Sequence, residues 1–281
     1  MAVVGSGADA IRIVHAVREL AREDGIALRT IALHDGDHRA FHVREADEMV
    51  RVAPGRDGDL SALRDALVQA RADALWSTAH GDRDAELAQL CEQLALTFAT
   101  ASPALVAKLA APAALRALAR DAGWPEETRA AQDGLWRRVA ILVVADRAGH
   151  VQAPAISDVT LRRAGDAVLV ECPVPGLAGE TARALCDRAR RLASRLGLIG
   201  VATVEALVAP DTGRFALAGL RAGPTGAQPI EATTGIDLIK LQLRLARGGM
   251  LGDEFSTPRG HAFAARVTCE DPERGFAASA G

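Results

Sequence analysis

Three groups of residues in this 281-residue chain have types and spacings that could do chemistry. The first is Gly5-Ser-Gly-Ala-Asp-Ala10, which fits Gly-x-Gly-x-x-Ala, with Asp35 downstream. Between a strand and a helix, such glycines let backbone N–H groups approach a pyrophosphate at the positive helix end. A carboxylate at the end of the next strand would then hold ribose hydroxyls. Gly5, Gly7, Ala10 and Asp35 therefore carry a dinucleotide-binding reading, set against a plain tight turn in a Rossmann-like scaffold. The second group is His34, His38 and His42, four apart, a spacing that suits one metal on a helix. Gly36 interrupts them, so they read as solvated loop histidines. The third is Cys91, Cys172, Cys186 and Cys269, scattered without a Cys-x-x-Cys pair. They read as buried reduced thiols in a cytosolic protein, with no metal role.

The elements that would position these residues follow from periodicity. Ala2 to Gly5 and Ile26 to Leu33 read as strands flanking a helix from Ala8 to Arg22, whose apolar residues include Ile11, Val14, Ala16 and Val17. Strand-helix-strand with short loops predicts a parallel βαβ unit in an α/β layer fold. The pattern continues with a helix over Leu60–Arg71, a strand over Ala74–Trp76, a helix over Ala85–Leu94 and a strand at Phe98. The loop from Trp76 to Asp84, with His80, reads as surface. Ser102 is an N-cap candidate, with helices following to Leu109 and from Ala113 to Ala122.

The second half reads as α+β. Arg137 to Asp146 is a long strand, and His150–Val151, Val159–Arg163 and Ala167–Val170 are short antiparallel ones. Gly179 to Leu196 is an amphipathic helix with Ala182, Leu185, Ala189, Leu192 and Leu196 on one face. A strand over Gly197–Leu207 follows. Gly235 to Ala246 is a further helix, with Ile236, Ile239, Leu243 and Ala246 on its apolar face, stopped by Gly248-Gly249. His261 to Thr268 reads as a strand.

Bulk composition bounds the function. With 49% hydrophobic and 25% charged residues, the chain can bury a sizeable core. A formal net charge of -3 gives no global attraction to nucleic acid or anionic membrane. No apolar run reaches membrane-spanning length and no signal peptide is evident, so the expected location is cytoplasmic.

Three blocks, Thr234-Gly-Ile-Asp-Leu-Ile-Lys-Leu-Gln-Leu, Pro258-Arg-Gly-His-Ala and Glu270-Asp-Pro-Glu-Arg-Gly-Phe276, closely resemble the biotin carboxylase family. So do Ala2-Val-Val-Gly-Ser-Gly-Ala-Asp-Ala-Ile-Arg-Ile, His42-Val-Arg-Glu-Ala-Asp-Glu-Met-Val50, Glu171-Cys-Pro-Val-Pro-Gly-Leu177 and Gly197-Leu-Ile-Gly-Val-Ala-Thr-Val-Glu-Ala-Leu207. The resemblance implies an ATP-grasp fold that carboxylates biotin from ATP and bicarbonate. It also implies three domains: a Rossmann-like N-terminal domain over 1–110, a reduced ATP-grasp domain with a truncated lid over 111–257, and a partial C-terminal domain over 258–281. The incomplete last domain would leave an edge for a partner to cover.

On the same resemblance, the chemistry is depleted. Pro112 stands where the family has a phosphate-contacting lysine, and Glu126 to Gly134 replaces the front half of a lid with a glycine-rich loop. Arg138 replaces a histidine, Ala140 a glutamate and Ala167 a basic residue that works with bicarbonate. Glu205 occupies a magnesium-ligand position, but Gly219 replaces the second metal carboxylate and Arg221 an asparagine. Gly223, Thr225 and Ala227 replace the catalytic arginine, glutamine and glutamate. Arg266 matches an active-site arginine and is expected as a partly buried ion-pair residue, while Glu205 is expected as a solvated or hydrogen-bonded carboxylate. The expected function is thus a catalytically inactive homologue with a structural or regulatory role, needing no cofactor. It would form a homo-oligomer, or a hetero-oligomer with a genuine biotin-dependent carboxylase subunit. The alternatives are an active ATP- and Mg-dependent enzyme with a rearranged site, and the dinucleotide-binding regulator.

Overall fold

The computed structural model describes residues 1–52, 60–78, 83–125, 136–163, 166–224, 226–252, 255 and 258–278. The chain begins with β1 (Ala2–Val4), α1 (Gly7–Glu23), β2 (Ile31–His34), α2 (Phe41–Glu45), β3 (Glu48–Arg51), α3 (Ser61–Gln69), β4 (Ala74–Ser77), α4 (Asp84–Gln93) and β5 (Thr97–Phe98). The five strands form one parallel sheet in the order β3-β2-β1-β4-β5. Parallel strands are covered on both faces, which is why β1 and the start of β2 read as unbroken apolar runs. α1 lays Ala10, Ile13, Val14, Val17 and Leu20 on one face, and α3 and α4 lay Leu63, Leu67, Leu87 and Cys91 on the other.

Several expectations shift here. The second strand starts at Ile31, not Ile26, and α2 and β3 were not foreseen. Trp76 lies on β4, as the strand read over Ala74–Trp76 implies, and at 2% exposure it is not part of the surface loop read from Trp76 to Asp84. His42 is no solvated loop histidine either, because α2 buries it. Burial there pushes its imidazole below the ordinary histidine range, with nearby His34 adding to the effect. Cys91 and Cys172 are buried, and burial pushes the Cys91 thiol up to about 12, whereas Cys269 is exposed against expectation.

Two helices lead into the second half. α5 (Pro103–Leu109) is capped by Ser102, whose Oγ accepts the Leu105 N–H at 3.2 Å. α6 (Pro112–Asp121) opens on proline, which needs no amide donor at that position. Next come β6 (Arg137–Ala145), β7 (Val151–Gln152), β8 (Ile156–Asp158), β9 (Arg162–Arg163), β10 (Asp166–Ala167), β11 (Leu169–Cys172), α7 (Gly179–Leu196), β12 (Gly200–Val208) and β13 (Phe215–Ala222). The chain continues through α8 (Gln228–Thr234), α9 (Leu238–Ala246), β14 (Ala262–Ala265), β15 (Glu270–Asp271) and β16 (Ala277–Ala278). The second sheet is antiparallel in the order β13-β12-β6-β8-β11-β14, with β7 beside β6. β9–β10 and β15–β16 are separate hairpins; only Arg162–Arg163 of the strand expected over Val159–Arg163 forms, and the one expected over Ala167–Val170 is split between β10 and β11.

Alternation along β6 and β12 gives this sheet two different faces. Val139, Ile141, Val143, Val204 and Ala206 meet Leu185, Ala189, Leu192 and Leu196 of α7. Each such fully buried leucine contributes about 1.5–3 kcal/mol. Lys108 Nζ donates to Leu196 O at 2.6 Å, placing a cation at the negative end of α7. Leu142, Val144 and Val201 turn the other way, toward Ile230, Leu238, Leu241 and Leu245 of α8 and α9.

α9 joins the two sheets. It starts at Leu238 and not at Gly235, because the Asp237 carboxylate caps it, accepting from Ile239 N–H at 3.0 Å and Lys240 N–H at 2.9 Å. Its burial goes beyond one stripe. Leu238, Leu241 and Leu245 serve the second sheet, while Ile239 and Leu243 pack on α1. Between them Gln242, 2% exposed, accepts from Val201 N–H at 2.6 Å and donates to Ala99 O at 2.8 Å. Lys240 pairs with Glu19 and Glu23, each at 2.6 Å, and Arg12 with Glu231 at 2.5 Å.

Candidate functional site

The second sheet carries Glu205 on β12, a strand paired on both sides. Its cross-strand neighbours are Ala140 on β6 and Gly219 on β13, and the register slips between Glu205 and Ala206. Glu205 is 7% exposed. A carboxylate that deep needs charged or hydrogen-bonding partners. Arginines supply them. Arg138 Nη1 donates to Oε2 at 2.8 Å, Arg221 Nε lies 3.3 Å from Oε1, and Arg162 Nη1 lies 3.5 Å from the same oxygen. Arg138 and Arg221 come from the flanking strands β6 and β13, and Arg162 arrives from β9. Both carboxylate oxygens are thus engaged by guanidinium cations. Glu205 is hydrogen-bonded as expected, but buried and not solvated.

The remaining site residues are dispersed. Arg266 lies exposed just beyond β14, with its backbone N–H on Val168 O at 2.9 Å, so it is not the partly buried residue expected from sequence. Gly223 directly follows β13 with φ +82° and donates its N–H to Val201 O at 2.9 Å. Ala227 is buried as the N-cap of α8, and Pro112 is the first residue of α6. Thr225, His80 and the Glu126–Gly134 segment lie outside the described residues. An ideal Cβ on Gly219 would meet nothing within 4 Å, so packing does not exclude a side chain opposite Glu205.

The glycine turn after β1 sits where the strand order reverses between β1 and β4. Gly5 has φ +119°, and a Cβ there would lie 1.7 Å from Thr78 Oγ1, so approach of β4's end requires glycine. Gly7 (φ +77°) opens α1, Ala10 is buried in the core, and Asp35 is exposed past β2. Among the described residues no three His, Cys, Asp or Glu side chains form a group that could hold a metal ion. His34 is occupied locally, its Nδ1 accepting the Gly36 N–H at 3.2 Å.

Sequence reasoning did not find Arg162. It lies 43 positions before Glu205 on a two-residue strand, and only the sheet topology brings the two together. It also missed Asp146, which accepts from Leu251 N–H at 3.0 Å, from His150 N–H at 3.0 Å and from Ala148 N–H at 2.9 Å. Burial pushes this carboxyl upward, but the Leu251 and His150 hydrogen bonds outweigh it and bring it down to about 2.

Residues 1–106 match the sequence profile of the biotin carboxylase N-terminal domain, and residues 133–254 match the ATP-binding domain of the carbamoyl-phosphate synthase L chain. Chloroplastic biotin carboxylase of Arabidopsis thaliana is 34% identical over 143 residues, covering 50% of this chain and 26% of that protein. Both halves of the chain are thus similar to biotin carboxylases. A mitochondrial methylcrotonoyl-CoA carboxylase subunit alpha from rice is 24% identical over 355 positions, spanning 99% of this chain and 47% of that subunit. In three dimensions the chain is similar to pyruvate carboxylase of Rhizobium etli, with a TM-score of 0.84 and 25% identity over 98% of this chain and 29% of that one. This biotin carboxylase homologue therefore spans less than half the length of each of these relatives. No helix among its described residues is long and apolar enough to cross a membrane.

Proposed function

We propose that this biotin carboxylase homologue does not carboxylate biotin, and that it serves a structural or regulatory role beside a biotin-dependent carboxylase. One observation carries the reading: the carboxylate at the family's metal position is held by Arg138, Arg162 and Arg221. A magnesium ion approaching Glu205 would face guanidinium cations at that carboxylate, and Coulomb repulsion there has the wrong sign for metal binding. The neighbouring positions supply no second carboxylate, since Ala140 and Gly219 flank Glu205 across both adjacent strands. Pro112 offers no cation to a phosphate.

The rice subunit supports the shortened lid. Its alignment runs over 355 positions against nearly all of this 281-residue chain, so the relative has residues within that span that this chain lacks. On this reading the three-domain division at 110 and 257 is kept, and neither ATP nor Mg²⁺ is a resident cofactor. Relatives include carboxylase subunits and multi-domain carboxylases, which favours assembly with a second copy or with such a subunit. The test is ADP formation in the presence of free biotin, bicarbonate, ATP and Mg²⁺. The reading expects none above buffer; bicarbonate-dependent ADP release would instead establish the rearranged active enzyme.

The dinucleotide reading keeps one point in its favour, the Gly5–Gly7 turn at the strand-order reversal. Added NADH should show an unchanged emission spectrum if the turn exists for the packing of Thr78 alone.

A further inference from the structure

Among the described residues, β14 closes one edge of the second sheet and pairs with β11 alone. The ladder fixes which way its backbone points. In an antiparallel pair, successive residues turn their N–H and C=O alternately toward the neighbouring strand and away from it. Arg266 N–H donates to Val168 O at 2.9 Å, in register with the β11 pairs from Leu169–Ala265 to Cys172–Ala262. Ala262 and Ala264 share the phase of Arg266 and face β11, whereas Phe263 and Ala265 present their backbone groups at the open edge. Val267 continues that alternation.

The side chains of these three residues share one face of the sheet. Phe263 is 62% exposed and Val267 91%, with Ala265 exposed between them. Ala264, on the opposite face, packs against Ala140, Val159 and Val170. Sheet edges are commonly guarded by charge, proline or a bulge, and positions 263, 265 and 267 carry no charge and no proline.

The stripe is self-complementary. Two copies laid antiparallel about Ala265 set each Phe263 across from Val267 of the second copy, an aromatic–β-branched pair of the kind that stabilises sheets. All three positions are then hydrogen-bonding ones, so the outward N–H and C=O groups find partners. The flanks agree in charge. Arg259 precedes the strand, whereas Glu270 to Arg274 beyond it hold three carboxylates and one arginine, and antiparallel pairing brings these unlike flanks together. Glu270 is engaged by Arg163, so Asp271 and Glu273 are the carboxylates nearest to that role.

We propose that two copies of this chain associate through β14, making one continuous antiparallel sheet across a two-fold axis at Ala265. This specifies the second-copy form of the assembly proposed above and rests on that part of the reading alone, since self-association and the absence of ADP formation can fail independently.

The test uses the full chain carrying Cys269→Ser, which removes the exposed native thiol. Ala265→Cys sets two thiols across the axis with Cα atoms about 5.5 Å apart, inside the roughly 4.4–6.8 Å that a disulfide spans. Mild oxidation should convert this variant to a covalent dimer. Phe263→Cys and Val267→Cys should each stay uncross-linked alone, because like positions lie roughly 13 Å apart, four strand steps, yet should cross-link when mixed. Sedimentation velocity of the parent chain should show a dimer that grows with concentration. Ala265→Pro should be monomeric with the parent melting temperature, because proline there removes only an outward N–H. A parent chain that stays monomeric at every concentration would overturn the proposal. So would cross-linking of Ala265→Cys no faster than that of Met250→Cys, an exposed position outside β14, or a dimer unchanged by Ala265→Pro.

Discussion

Replacing Gln242 by alanine should uncouple the two sheets more than any other single truncation in α9. The side chain is 2% exposed and serves one backbone group from each half, Val201 N–H at 2.6 Å and Ala99 O at 2.8 Å. Each of these, left buried without a partner, costs about 1–3 kcal/mol. A void adds to that, so the expected loss is roughly 3–5 kcal/mol. For a chain of this size that corresponds to a drop on the order of 6–15 °C in melting temperature. Urea unfolding followed by circular dichroism reads the same loss as a shift in midpoint. Gln242→Leu removes both hydrogen bonds while nearly keeping volume and should retain most of the penalty. Gln242→Glu adds a pH signature. When protonated it can still donate to Ala99 O, and burial raises its folded pKa above the unfolded value of about 4.3. Its stability is then fully present below that unfolded value and is lost as pH rises through the folded one. A Gln242→Ala loss below about 1 kcal/mol would refute the claim that this residue bridges the halves.

Three further expectations follow from other parts of the chain. Glu205→Ala leaves Arg138, Arg162 and Arg221 clustered without their carboxylate and should cost about 2–3 kcal/mol, discounted because the arginines are partly exposed. Thermal melts should show sulfate restoring part of that loss. Asp146 is held at about 2, so its contribution is present above the unfolded value of about 3.9 and is lost as pH falls through the folded one. Asp146→Asn should therefore flatten the fall in melting temperature between pH 4 and pH 2. Gly5→Ala should destabilise severely, because its Cβ would collide with Thr78 Oγ1, whereas Gly7→Ala meets open space and should lose only about 1 kcal/mol to its positive φ. Comparable melting temperatures for the two variants would argue against the packing account of the turn.

The parts of the fold legible in sequence were those fixed by local signals. α7 was bounded at Gly179 and Leu196 because an apolar stripe runs to a glycine in the left-handed conformation at Gly197. Ser102 and Pro112 marked their helices by chemistry that acts within one turn. What escaped was set by distant partners. α9 was read as a one-sided helix, yet Leu238, Leu241 and Leu245 are buried on one flank and Ile239 and Leu243 on another, because two sheets close on it. Its buried Gln242 carries no sequence signal at all, since its acceptor lies 143 positions away. His42 reads as a loop histidine because Gly36 breaks its spacing from His34, and the five-residue α2 buries it, while Trp76 ends the strand read over 74–76 and β4 runs on to Ser77. Of the site, resemblance flagged Glu205, Arg138, Gly219 and Arg221, and the register set Gly219 directly across from Glu205. The convergence of three arginines on one carboxylate needed the sheet.

On the proposed reading, the position that the family uses for a metal ligand is filled here by the protein's own cations. Titration calorimetry of the chain with ATP and Mg²⁺ tests it most directly. A trace indistinguishable from dilution into buffer is the predicted result; saturable, magnesium-dependent heat that Glu205→Gln abolishes would contradict it.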